Sequence, residues 1–159
     1  MKIKNIIDED FSNYKECSMF VGFPTCTLKC EKDCGMSGLC QNSELFKSPD
    51  IEYPVAKIVE RYMGNPLSKA LVCGGLEPFD HFTDLIYLVS EFRKRTSDTI
   101  VIYTGYYKDE ISYKIQYLID FSSNIIVKFG RFVPNQKKHF DELLGVELAS
   151  DNQYAERIC

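Results

Sequence analysis

Apolar residues along the chain fall into two alternating rhythms. Ser18-Met-Phe-Val-Gly-Phe23 is a continuous apolar run closed by Pro24, which predicts a buried strand. Lys69-Ala-Leu-Val-Cys73, ended by Gly74-Gly75, and the runs Thr99 to Tyr103 and Ile125 to Phe129 predict three more. Between them the apolar spacing becomes helical. Pro54 opens a helix at a favoured first-turn position, with Val55, Ile58, Val59 and Tyr62 on one face and Gly64 at its end. A second helix spans about Phe82 to Arg95, with Leu85, Leu88, Val89 and Phe92 at helical spacing, and a third spans Asp109 to about Ile119. Strands alternating with helices of this length imply an α/β domain with a parallel sheet and right-handed crossovers. Thr25 to Asp50 carries no sustained period and reads as one long loop. After Gly130 the chain is polar and less periodic, with a last strand at Tyr154 to Ile158.

Topology alone then gathers a rim. Ligands of open α/β sheets sit at the carboxyl ends of the strands, where the segment after Phe23, Gly74-Gly75 and Thr104-Gly105 all fall. With 159 residues the chain suits one domain, 1–159, with one sizeable core. Its 45% hydrophobic and 26% charged residues are those of a folded domain. A net charge of −4 offers no general attraction to phosphate backbones or anionic lipid, so neither nucleic acid nor a membrane is an expected partner. Asp8, Glu9 and Asp10 break the apolar patch at the N-terminus, so no signal peptide or membrane span can be read and a cytoplasmic location is expected.

The seven cysteines change the picture. A reducing compartment argues against a disulfide framework and raises metal or redox chemistry. Cys26, Cys30, Cys34 and Cys40 fall within fifteen residues, whereas Cys17, Cys73 and Cys159 are scattered and read as two small buried hydrophobes and a terminal thiol. A loop at a strand end can present several thiolates to the irons of an iron–sulfur cluster. Cys26 and Cys30 supply two, with Cys34 and Cys40 competing for a third; three thiolates leave one of four irons open. The rival is a structural zinc knot using all four. The remaining rim residues also have plain structural readings. Gly74-Gly75 serves as a strand-to-helix turn, Glu77 as a helix-leading carboxylate, and Asn152 and Gln153 as turn formers. His81 and His139 read as solvated surface residues.

The order of these features resembles a known family. Cys26-x3-Cys30 is followed by Cys40-Gln41-Asn42, after Asp10-Phe11-Ser12-Asn13 and Cys17. Gly74-Gly75-Leu76-Glu77-Pro78, Tyr103-Thr-Gly-Tyr106 and Ser150-Asp-Asn-Gln153 follow in turn. The set resembles the radical S-adenosylmethionine enzymes, specifically the small activases of anaerobic ribonucleotide reductase, whose Cys-x3-Cys-x2-Cys-Tyr-Asn, Gly-Gly-Glu-Pro, Thr-Gly-Tyr and Ser-x-Asn-Gln segments occur in this order. The chain departs from them in its longer cysteine spacer, in Leu76, in Tyr14-Lys15-Glu16 where they carry Gly-Pro-Gly, and in Phe129-Gly130 where they carry Asp-Gly.

The resemblance implies a partial (βα) barrel of parallel strands, open on one side. It implies a 4Fe–4S cluster on Cys26, Cys30 and Cys40, with Cys34 as the alternative third ligand. Cys40 is preferred because Leu39 before it matches the residue that packs near the adenine, and Gln41-Asn42 matches Tyr-Asn. Leu39, Gly74, Gly75, Glu77, Pro78 and Thr104 would contact S-adenosylmethionine. The activity implied is reductive cleavage of that cofactor to place a glycyl radical on a partner, anaerobic ribonucleoside-triphosphate reductase, with flavodoxin or ferredoxin as electron donor. The alternatives are a radical enzyme modifying another protein or peptide, and a zinc- or cluster-binding interaction module without turnover.

Overall fold

The computed structural model describes residues 1–159. The elements begin with β1 (Lys2–Ile3), β2 (Asn5–Asp10), β3 (Ser18–Phe23), α1 (Lys29–Cys34), α2 (Ser43–Lys47) and β4 (Ile51–Glu52). They continue with α3 (Val55–Met63), β5 (Ala70–Gly75), α4 (Phe82–Arg93), β6 (Thr99–Tyr103), α5 (Ser112–Phe121) and β7 (Ile125–Phe129). A hairpin, β8 (His139–Asp141) with β9 (Val146–Leu148), and β10 (Tyr154–Arg157) complete the chain. Six strands form the main sheet in the order β10-β7-β6-β5-β3-β2. β3, β5, β6 and β7 run parallel, with Val21 opposite Cys73 and Cys73 opposite Ile102. β2 and β10 flank them antiparallel and do not pair with each other, so the sheet does not close into a barrel.

The strands read as continuous apolar runs because both faces of the sheet are covered. Met19, Val21, Phe23, Leu71, Cys73, Ile100, Ile102 and Val127 point to one face. There they meet the buried stripes of α3 (Val55, Ile58, Val59, Tyr62) and α4 (Leu85, Leu88, Val89, Phe92). Phe20, Ala70, Val72, Val101 and Ile126 point to the other, under Tyr14 and the hairpin residues Leu144 and Leu148. The hairpin thus covers the sheet face that no helix covers.

Two expectations need correction. The stretch 25–50 is not a continuous loop, because α1 and α2 lie within it; neither buries a residue, so neither left an apolar period to read. Cys17 is half-buried rather than a core residue, whereas Cys73 is fully buried, which pushes its thiol up to about 12. No helix is long and apolar enough to cross a membrane.

Candidate metal centre and cavity

A cavity of about 470 Å³ opens at the carboxyl ends of the parallel strands. Its wall includes the cysteine loop, Gly75-Leu76-Glu77 at the end of β5, Tyr103 to Tyr106 at the end of β6, Lys128 with Gly130-Arg131-Phe132 around the end of β7, and Val146 to Ala149 of the hairpin. Cys26, Cys30 and Cys40 line it and Cys34 does not, although Cys34 sits one turn after Cys30 on α1. Of the other sequence-predicted residues, Gly75, Glu77 and Thr104 line the cavity, whereas Leu39, Gly74 and Pro78 stand outside its wall.

The three lining thiols are close enough to feel one another. Partial burial raises Cys26 to about 11, opposed by the Leu28 amide and reinforced by the charges of Cys40, Cys30 and Glu77. Burial also raises Cys30, and Cys40 adds to that shift. Protons on such thiols are readily displaced by a metal, because a bound cation supplies the charge that burial and neighbouring sulfurs withhold. No three Cys, His, Asp or Glu side chains converge on one metal position. A structural zinc needs four ligands about 2.3 Å from a single point. An iron–sulfur cluster instead presents separate irons to separate thiolates, so three thiols spread over a cavity wall suit it better.

Local structure explains why the loop folds here. Leu28 adopts a left-handed conformation (φ 52°) and starts α1, and Gly35 (φ 63°) ends it. Without buried residues, α1 is held by charge. Arg131, only 6% exposed, pairs through Nη1 with Asp33 at 3.1 Å and through Nη2 with Glu110, which also takes Lys29 at 3.1 Å. The Arg131 guanidinium lies 4.5 Å over the Tyr107 ring. On the other side of the loop, Asn42 Nδ2 donates to the Gly75 carbonyl at 2.8 Å. Gly75 itself has φ +81°, and a Cβ there would stand 3.0 Å from Gly22 Cα and from Leu45 Cδ2. Close packing against β3 therefore requires glycine at this position in addition to any ligand.

Glu77 braces the rim. Its buried carboxylate accepts from Phe79 N at 3.1 Å, Thr104 Oγ1 at 2.8 Å and Gly105 N at 2.9 Å, tying the end of β5 to the end of β6. Burial raises its pKa to about 7 despite these three donors. The helix-leading role is thus real, and the two further bonds go beyond it. Asn152 and Gln153 act within the scaffold: Asn152 Nδ2 donates to Tyr107 Oη and to the Arg131 carbonyl, while Gln153 Oε1 accepts from Ala149 N and Ser150 N. His81 is not merely solvated, because its Nε2 lies 2.7 Å from Thr25 Oγ1 next to the cysteine loop. Lys128 and Arg131 were missed from the sequence. The available signal was a lysine inside the apolar run Ile125-Ile-Val-Lys-Phe129.

A family model described as a 4Fe–4S single cluster domain matches residues 15–153. No curated protein and no solved structure matches the chain.

Proposed function

Because the chain belongs to the 4Fe–4S single cluster domain family, as a match over most of its length shows, we propose that it is a radical S-adenosylmethionine enzyme on a partial (βα) barrel. In this reading it is an activase that generates a glycyl radical on a partner, anaerobic ribonucleoside-triphosphate reductase. One observation carries the reading: three of the four clustered cysteines, Cys26, Cys30 and Cys40, share a cavity with the glycine-ended strands, and Cys34 lies outside it. Three protein ligands would leave a fourth iron available to a cofactor. A cluster held there would supply one-electron chemistry, in this reading the reductive cleavage of S-adenosylmethionine.

The chain's own residues bind and orient. Cys26, Cys30 and Cys40 would hold the cluster at one wall of the cavity of about 470 Å³, a volume within the range of small-molecule sites. Gly75 lines the cavity at the strand end with its carbonyl held by Asn42, and Thr104 fixes the facing turn through Glu77. Tyr106 and Leu76 supply apolar wall that limits water around the reacting centre. Leu39, immediately before Cys40, would pack near the adenine on ligand binding. Flavodoxin or ferredoxin would deliver the electron.

The test is anaerobic reconstitution with iron and sulfide, then incubation with S-adenosylmethionine and dithionite. Formation of 5′-deoxyadenosine and methionine is expected, with a glycyl radical signal once the reductase is added. Turnover without that signal would redirect the enzyme to another protein or peptide. A loaded cluster with no cleavage would leave a cluster-binding module and end the enzyme reading.

A further inference from the structure

Lys128 is a buried cation for which the chain provides little. It projects from β7 into the sheet face shared with Phe20, Tyr103 and Ile126, lines the cavity and is 6% exposed. Its ammonium donates to the Gly130 carbonyl at 2.7 Å, and its position 6.0 Å from the Tyr103 ring centroid adds a weak cation–π contact. None of the ion pairs of the chain includes it. Glu77, the acid whose charge reaches it, spends its oxygens on Phe79, Thr104 and Gly105. An ammonium has three donors, and burying one without a paired charge is costly.

We propose that Lys128 anchors a carboxylate carried by the substrate, at the end of the cavity remote from the cysteines. The separation follows from the strand order: the cysteine loop leaves the end of β3, Lys128 stands near the end of β7, and β5 and β6 lie between them. A cofactor chelated at the cysteine end through its own carboxylate therefore leaves Lys128 unpaired. Two other cations, Lys29 and Arg131, line the same cavity, but Glu110 and Asp33 pair them, and Glu147 on the wall is paired by Lys138, so Lys128 is the lining cation left without a counter-charge. The inference rests on the activase reading only in taking the substrate to be a polypeptide, which places an aspartate or glutamate beside the reacting glycine.

Calorimetry on the cluster-loaded chain at pH 6.5 provides the test, with acetyl-Ala-Gly-Asp-amide and acetyl-Ala-Gly-Asn-amide as probes. The acidic peptide should bind about tenfold more tightly, the scale of a charge-assisted hydrogen bond. Lys128→Met should remove that preference and Lys128→Arg should keep most of it, with S-adenosylmethionine affinity unchanged in both. A second readout needs no variant. Desolvation holds Lys128 down at about 7, so at pH 8 binding of the acidic peptide should take up a proton, seen by comparing two buffers of different ionisation enthalpy; the amide peptide should not. Equal affinities for the two peptides, or a preference that survives Lys128→Met, would overturn the proposal. So would a fall in S-adenosylmethionine affinity in Lys128→Met without any peptide preference, which would give the lysine to the cofactor. Formation of 5′-deoxyadenosine in the same preparations is scored separately: its absence sinks the activase reading and leaves the peptide comparison intact.

Discussion

Glu77→Ala removes one carboxylate and orphans three donors at once. Phe79 N, Thr104 Oγ1 and Gly105 N lose their acceptor at a site that is 6% exposed. Each buried donor left unpaired costs about 1–3 kcal/mol, so the gross loss is roughly 3–6 kcal/mol once water entering the space is allowed for. A relief term opposes it. Burial raises Glu77 from 4.5 to about 7, so in the folded chain it remains protonated across a window where the unfolded chain has released the proton. Wild-type stability therefore falls as pH rises from 4.5 to 7, by about 3 kcal/mol at most, and the alanine variant escapes that fall. The substitution should cost about 3–5 kcal/mol at pH 5.5 and about 1–3 kcal/mol at pH 8. Urea unfolding of the cluster-free chain under a thiol reductant, with m-values compared to confirm two-state behaviour, measures both. A cost below 1 kcal/mol at pH 5.5, or one that does not shrink with pH, would show that Glu77 does not brace the rim.

Cys40→Ala should abolish the cluster absorbance and S-adenosylmethionine cleavage, while Cys34→Ala should retain a loaded cluster whose electron paramagnetic resonance signal responds to the cofactor; the reverse pattern would move the third ligand to Cys34. Arg131→Met removes the pairs to Asp33 and Glu110 that hold a helix with no buried residues. Amide exchange over 29–34 should quicken at least tenfold while exchange in β5 and β6 stays unchanged, and uniform quickening would refute a local role. Lys128, lowered from 10.5 to about 7 by desolvation, is neutral in the folded chain between pH 7 and 9 while the unfolded chain keeps its proton. Wild-type stability should thus rise with pH relative to Lys128→Met across that window, by up to about 1.4 kcal/mol per unit, and parallel stability curves would contradict the burial.

The parts of the fold legible in the sequence are those where burial repeats along the chain. Thr99–Tyr103 and Ile125–Phe129 match their expected bounds because parallel strands covered on both faces read as near-continuous apolar runs, with Lys128 the one charge within them. The α3 stripe was legible because one face of a helix returns every three to four residues. Asn5–Asp10 was not, since an edge strand carrying Asp8, Glu9 and Asp10 shows no apolar run; charge at an edge blocks further pairing. α1 and α2 likewise left no pattern, being held by ion pairs and turns rather than by a core.

For the site, the sequence by itself determined that four cysteines and two glycine-bearing strand ends meet at one rim, because chain order and right-handed crossovers leave no other arrangement. Which thiols face the cavity was decided only in three dimensions, by the left-handed turn at Leu28 and the charged clasp around Arg131 that set the direction of α1. Glu77's three donors and the unpaired ammonium of Lys128 were likewise hidden. Their partners lie on connections far apart in sequence, and no local pattern records whether a buried charge has found its counterpart.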